Sequence, residues 1–141
     1  MIIFDVNVFL SALDVDASHH ATANHSVIRA LTGTEPVGLI DETMTAIVRI
    51  STNPRIKAQP ASIPTAVAFC EKIRSAPMAE RVRPGVGAWP QFVGLVSALQ
   101  LHGNDITDAW LAAQAIDLGA HFITFDRGFQ RFPGLRLTVL A

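Results

Sequence analysis

Acidic side chains in this chain stand where apolar runs end. MIIFD places Asp5 directly after four apolar residues, and HFITFD places Asp126 directly after another such run. Asp41 and Glu42 follow VGLI, while Asp105 and Asp108 stand three apart at the start of a helical pattern, on one face of its first turn. The carboxyl edge of an open α/β sheet is where ligands bind. Carboxylates clustered there repel one another and drive some members toward protonation unless a cation compensates. Mg²⁺ or Mn²⁺ meets that need, because hard cations take oxygen ligands and keep waters for substrate phosphates. A plainer reading stands beside this one: Asp is a preferred helix N-cap, so Asp5 and Asp41 each read equally as caps. One cap is ordinary, whereas four acidic junctions on one edge call for a chemical explanation.

The elements that must position these acids follow from periodicity and breakers. Met1 to Phe4 is the short continuous apolar run of a strand covered on both faces. A short helix then turns Val8, Phe9 and Ala12 inward, and a longer one is expected from about Ser18 to Leu31, stopped by Gly33. PVGLI (36–40) reads as a second strand, Asp41 as the N-cap of a helix carrying Met44, Ile47 and Val48, and STNPR (51–55) as its breaker. Pro64 opens another helix running to about Arg74, VRPGVGAWP (82–90) is irregular, and Pro90 to Leu101 is helical with Gly103 as its stop. Asn104 or Asp105 begins a helix through Leu118, closed by Gly119, and HFITF (121–125) and LRLTVL (135–140) are strands. Strands alternating with helices imply a parallel sheet with helices on both faces.

Composition narrows the classes. Half of the 141 residues are apolar and 16% are charged, which argues against disorder, and a chain of this length buries about two-thirds of its unfolded surface as one domain. No apolar run approaches the roughly eighteen residues of a membrane span, and no basic region precedes the N-terminal apolar stretch, so a cytoplasmic protein without membrane contact is expected. The single cysteine, Cys70, excludes an intrachain disulfide and a cysteine-rich zinc site, and AVAFCEKI makes it a buried structural thiol. His19 and His20 are adjacent, and helix neighbours do not face a common point, so the histidines read as surface or core residues. Net charge is −1, but Arg49, Arg55, Lys57, Lys72, Arg74, Arg81 and Arg83 form a locally basic stretch, readable as a phosphate-binding surface or as solvated helix faces.

FDVNVFL, IVRISTNPR, GNDITDAWLAAQA and FITFDRGFQRFPGLR, in that order and spacing, resemble the PIN-domain ribonuclease family, specifically the toxin component of VapBC-type toxin–antitoxin pairs. The resemblance covers essentially the whole chain and implies a single PIN domain over residues 1–141, with a three-layer α/β/α fold around a central, mainly parallel sheet. It implies an Mg²⁺- or Mn²⁺-dependent endoribonuclease, usually a homodimer, held inactive by a VapB-type antitoxin. Matched position by position, the acids are Asp5, Asp108 and Asp126, which would hold the metal, with Asp105 as an additional acid of some relatives. Asn7 matches the polar residue two after the first acid, and Thr124 the hydroxyl before the fourth. The second acid departs from the pattern: its usual position, three before Arg49, is Ala46, and Glu42 lies one helical turn earlier on the same face.

The chemistry so implied is phosphodiester hydrolysis with a metal-activated water, which needs no protein nucleophile. That agrees with the lack of a recognisable Ser–His or Cys–His arrangement. The basic stretch and Arg127 would touch backbone phosphates, and Phe125, Phe129 and Trp89 are the aromatic residues available for base stacking. Two other readings remain. A haloacid-dehalogenase-like phosphatase also follows its first strand with Asp, but its general acid two residues later would here be Asn7. A PIN-like domain that binds RNA or a protein without cutting would account for Ala46.

Overall fold

The computed structural model describes residues 1–141. Five strands, β1 (Ile2–Phe4), β2 (Val37–Ile40), β3 (Ala79–Val82), β4 (His121–Thr124) and β5 (Arg136–Val139), form one sheet in the order β3-β2-β1-β4-β5. Every neighbouring pair is parallel. Parallel strands need crossovers, supplied by α1 (Val6–Leu13) with α2 (His20–Leu31), α3 (Asp41–Ser51) with α4 (Ile63–Arg74), and α5 (Ala88–Leu99) with α6 (Asn104–Asp117). A short 3-10 helix, Arg127–Arg131, links β4 to β5.

Side chains alternate across each strand, so the sheet separates two cores. Ile3, Ile40, Val82 and Phe122 pack with Leu95, Ala109, Leu111 and Phe129 beneath α5 and α6. Phe4, Val37 and Leu39 pack with Val8, Phe9, Ala23, Met44 and Cys70 beneath α1 to α4. The result is the expected three-layer α/β/α arrangement. Each fully buried Phe or Ile in these cores contributes roughly 1.5–3 kcal/mol, so both faces of β1 are heavily anchored and its carboxyl end is a fixed point. The first two crossovers carry the chain from β1 to β2 to β3, and the third returns it across β1 to β4. The order of strands therefore reverses at the β1–β4 boundary, the place where open α/β sheets bind ligands.

Several elements differ from the sequence reading. AERV forms an additional edge strand, β3, so the irregular stretch shrinks to the residues between Val82 and Ala88. Glu80 and Arg81 are exposed there, and an edge strand lacks the apolar run by which buried strands are recognised. Gly103 does not stop α5: that helix ends at Leu99, where Gln100 adopts the left-handed conformation and its N–H meets the Val96 carbonyl. Gly103, with φ of +63°, occupies the N-cap position of α6. Asp41 is the first residue of α3 and not its cap, since Ile40 holds the cap position and no side chain accepts a capping bond. Ser62 does cap α4, accepting from the Thr65 N–H at 3.2 Å, with Pro64 in the first turn. Cys70 is buried, as expected, with its Sγ 3.8 Å from the Met44 carbonyl.

Candidate active site

Asp5 stands where β1 gives way to α1, and its side chain makes no capping bond. Only 5% of the residue is exposed. Its Oδ2 accepts from the Thr124 hydroxyl at 2.6 Å and from Asn7 Nδ2 at 2.9 Å. The network is closed on the other side. Asn7 Nδ2 also donates to Thr124 Oγ1 at 3.0 Å, the Asp126 N–H donates to that hydroxyl at 2.9 Å, and the Phe125 N–H donates to Asn7 Oδ1 at 3.2 Å. Because β1 pairs with β4 in parallel register, Phe4 opposite Ile123, the first acid and the Thr124 hydroxyl emerge at the same level of the sheet. Burial pushes the Asp5 carboxyl up from its ordinary pKa, partly offset by the Thr124 hydrogen bond, and the nearby Asp126 charge adds to the rise.

Asp108 projects from the first turns of α6 toward the same place. Burial raises its pKa, the negative charge of Asp5 raises it further, and Arg131 opposes both, while Asp126 and Asp105 add smaller increments. Asp105 lies one turn earlier, and Arg131 Nη2 bridges the two acids, 3.1 Å from Asp108 Oδ2 and 3.3 Å from Asp105 Oδ1. Asp126 caps the 3-10 helix, its Oδ1 accepting from the Gly128 N–H at 2.7 Å.

Asp5, Glu42, Ala46, Arg49, Thr107 and Asp108 line a cleft of about 280 Å³ between α3 and α6. Glu42 accepts a hydrogen bond from the Trp110 indole N–H at 3.1 Å. Asp41 turns the other way, toward the sheet edge. Arg81 Nε lies 2.9 Å from its Oδ1 and Arg81 Nη2 bonds its Oδ2, and this guanidinium holds the Asp41 pKa below the usual carboxylate range. Asp41 and Glu42, adjacent in sequence, are thus separated: Glu42 belongs to the cleft and Asp41 to an ion pair.

Of the six acids singled out from sequence, all but Asp41 converge on one end of the sheet, but no three His, Cys, Asp or Glu side chains are grouped closely enough to enclose a metal ion as they stand. Mg²⁺ takes only one or two direct carboxylates and retains most of its waters. Burial first and neighbouring negative charge second, Asp126 for Asp5 and Asp5 for Asp108, raise both pKa values, as expected of an oxygen-only site short of positive charge. By donor type and charge the residues therefore fit a hard divalent cation. Two participants were not singled out by sequence. Arg131, not Arg127, reaches the acids, and Trp110 anchors Glu42. Both lie inside quoted motifs, FDRGFQRF and DAWLAA, but neither residue type signals its role without the fold. Of the aromatic residues considered for stacking, Phe129 is core, Phe125 stacks on His19 at 4.6 Å between ring centroids, and Trp89 is exposed beside Phe92 and Trp110.

Comparison with known proteins gives a consistent result. The chain is 38% identical over 136 residues to VapC ribonuclease Mb2897 of Mycobacterium bovis and, equally, to Ribonuclease VapC43 of Mycobacterium tuberculosis, covering 96% of this chain and 92% of each relative. Its fold matches a chain of the VapBC2 structure from Rickettsia felis bound to a promoter DNA fragment, with a TM-score of 0.71 over 99% of this chain and 98% of that one, at 16% identity. The PIN domain matches residues 2–135, and with Asp5 at its first strand end and Asp126 at its fourth, the chain belongs to the PIN-domain family in its VapC branch.

Proposed function

We propose that this protein is a divalent-metal-dependent endoribonuclease and the toxin of a type II toxin–antitoxin pair. The observation that carries the reading is the placement of Asp5, Glu42 and Asp108 around one cleft at the β1–β4 switch point of a PIN domain. Asp5, Asp108 and Asp126 would hold Mg²⁺ or Mn²⁺, directly or through its waters, with Asp105 beside Asp108. When bound, such an ion supplies a water of lowered pKa and positive charge against the scissile phosphate. The chain's own groups do the rest. Thr124 and Asn7 fix Asp5 in one orientation and keep its second oxygen free of them. Arg49, the one basic residue lining the cleft, is placed to meet a phosphate oxygen. Glu42, held by Trp110 through Oε1, has Oε2 available to accept a proton from the attacking water. Water then adds to phosphorus, the P–O bond to the leaving ribose oxygen breaks, that oxygen takes up a proton from solvent as it leaves, and Glu42 returns its own proton to solvent.

The substrate in this reading is RNA, which the naming of the relatives as ribonucleases supports, and the inhibitor is an antitoxin of the VapB type, which the likeness to a chain of a VapBC structure supports. A homodimer in the cytoplasm completes the proposal. No helix is long and apolar enough to cross a membrane, and exposed Trp89 and Val93 on α5 offer an apolar surface that a second copy would cover. A non-cleaving RNA- or protein-binding domain is the second reading, favoured by Ala46 in the cleft wall. The two separate in one experiment. Cleavage of RNA by the purified protein should require Mg²⁺ or Mn²⁺, stop with EDTA, and fall by about a hundredfold or more in Asp108→Asn while the thermal melt is kept. Cleavage that persists after chelation rejects the metal mechanism, and a folded wild type that cuts no RNA with either ion rejects the nuclease.

A further inference from the structure

We infer that Arg131 is a built-in counter-cation of this site, occupying Asp108 and Asp105 in the metal-free protein and competing there with the divalent cation. The inference rests on the metal-dependent reading above and adds to it what holds the acids together before loading. Arg131 reaches both carboxylates through a single nitrogen, Nη2, at 3.1 Å from Asp108 Oδ2 and 3.3 Å from Asp105 Oδ1. Its Nε is buried without a hydrogen-bond partner. A guanidinium built for a permanent ion pair uses its fork, as Arg81 does on Asp41 with Nε and Nη2 on one carboxylate. Arg131 forgoes that geometry and leaves a donor unsatisfied, which is unfavourable wherever water is excluded.

The guanidinium also rests over the Phe132 ring, 4.8 Å from its centroid. Cation–π attraction keeps it close to the site even when the carboxylates are taken by another cation. The charge balance points the same way: Asp5, Asp126 and Asp105 all bear on Asp108, and Arg131 is the positive group that opposes them. A divalent ion arriving at Asp108 therefore meets a like charge a few ångströms away, a repulsion that is substantial in a partly desolvated cleft. Loading requires this arm to shift or to be tolerated at a loss of affinity.

The test is direct cation binding by the full chain, read without any cleavage. Isothermal titration of Mn²⁺ into metal-free protein should show Arg131→Met binding at least about tenfold more tightly than wild type, and Arg131→Lys, which keeps the charge, within about threefold of wild type. Arg131→Gln keeps a polar side chain without the charge and should tighten binding as Arg131→Met does, so it decides the matter if the Met variant melts early. Equal or weaker Mn²⁺ binding in the charge-removing variants, with wild type still binding Mn²⁺ and cutting RNA, overturns this inference alone. No Mn²⁺ binding by any of the proteins overturns the metal-dependent reading and the inference with it.

Discussion

Thr124→Val tests whether the Asp5 network is as tightly coupled as its distances imply. Valine keeps the shape of a fully buried side chain and removes one hydroxyl, which donates to Asp5 Oδ2 at 2.6 Å and accepts from Asn7 Nδ2 and from the Asp126 N–H. Losing a hydrogen bond to an ionised carboxylate costs roughly 1.5–3 kcal/mol, and the two stranded donors add about 1 kcal/mol because both are only partly buried. The expected loss at pH 7 is therefore about 2.5–4 kcal/mol, a large share of a typical domain's stability. It should depend on pH. The Thr124 bond lowers the Asp5 pKa, so it contributes stability while Asp5 is ionised and loses that contribution as pH falls and Asp5 is protonated in both proteins. Urea unfolding at pH 7 and near pH 4 should show the gap between wild type and variant shrinking toward the stranded-donor part of about 1 kcal/mol. Thr124→Ser keeps the hydroxyl and should lose only about 1 kcal/mol for the missing methyl, equally at both pH values. A Thr124→Val loss that is independent of pH, or a Ser variant as unstable as the Val variant, would refute the claim that this hydroxyl serves the Asp5 charge.

Asp5→Asn should stabilise the fold at neutral pH. The folded pKa of Asp5 lies above 3.8, so its ionisation withdraws stability as pH rises from 3.8 through that raised value, and the gain from Asn should vanish below about pH 4 in thermal melts. For the second acid, Glu42→Gln should lower RNA cleavage by about a hundredfold with little change in melting temperature. Asp41→Ala should leave cleavage intact and alter stability only slightly, since its ion pair with Arg81 is exposed. An inactive Asp41→Ala beside an active Glu42→Gln would reverse the assignment.

The legible part of the fold was the part built from buried, repetitive chemistry. β1, β2 and β4 announce themselves because parallel strands covered on both faces read as apolar runs, and α1 and α3 because Val8, Phe9, Ala12, Met44 and Ile47 fall on one helical face. β3 was hidden for the converse reason: at the sheet edge its ladder bonds are made by backbone atoms, and Glu80 and Arg81 are free to face solvent. The acids were legible as a set, because strand ends can be counted along a sequence. Their partners were not. Thr124 and Asn7 meet Asp5 across separations of 119 and 2 residues, and only the β1–β4 register brings the long one into place. Arg131 sits five residues beyond Asp126, and nothing but the 3-10 helix decides that it, and not Arg127, turns back onto α6.

In the proposed reading Glu42 serves as a displaced second acid, and its placement follows from the same kind of geometry. Helix α3 begins at Asp41 immediately after β2, so successive residues of its first turn face different elements. Asp41 meets Arg81 of β3 on one side, and Glu42, about 100° further round the helix, meets Trp110 of α6 on the other. Apart from Thr43, the cleft-lining positions of α3 beyond Glu42 are Thr45, Ala46, Arg49 and Ile50, a spacing of three, four, seven and eight that defines one face. Ala46 contributes only a methyl group to the cleft wall between Glu42 and Arg49. In the proposed reading, the chain would trade a short approach from position 46 for a longer one from position 42, steadied by the Trp110 indole. That steadying makes the shift workable: a glutamate one turn back, without a fixed partner, would spread its carboxylate over several rotamers, and a catalytic group has to be held near one productive geometry.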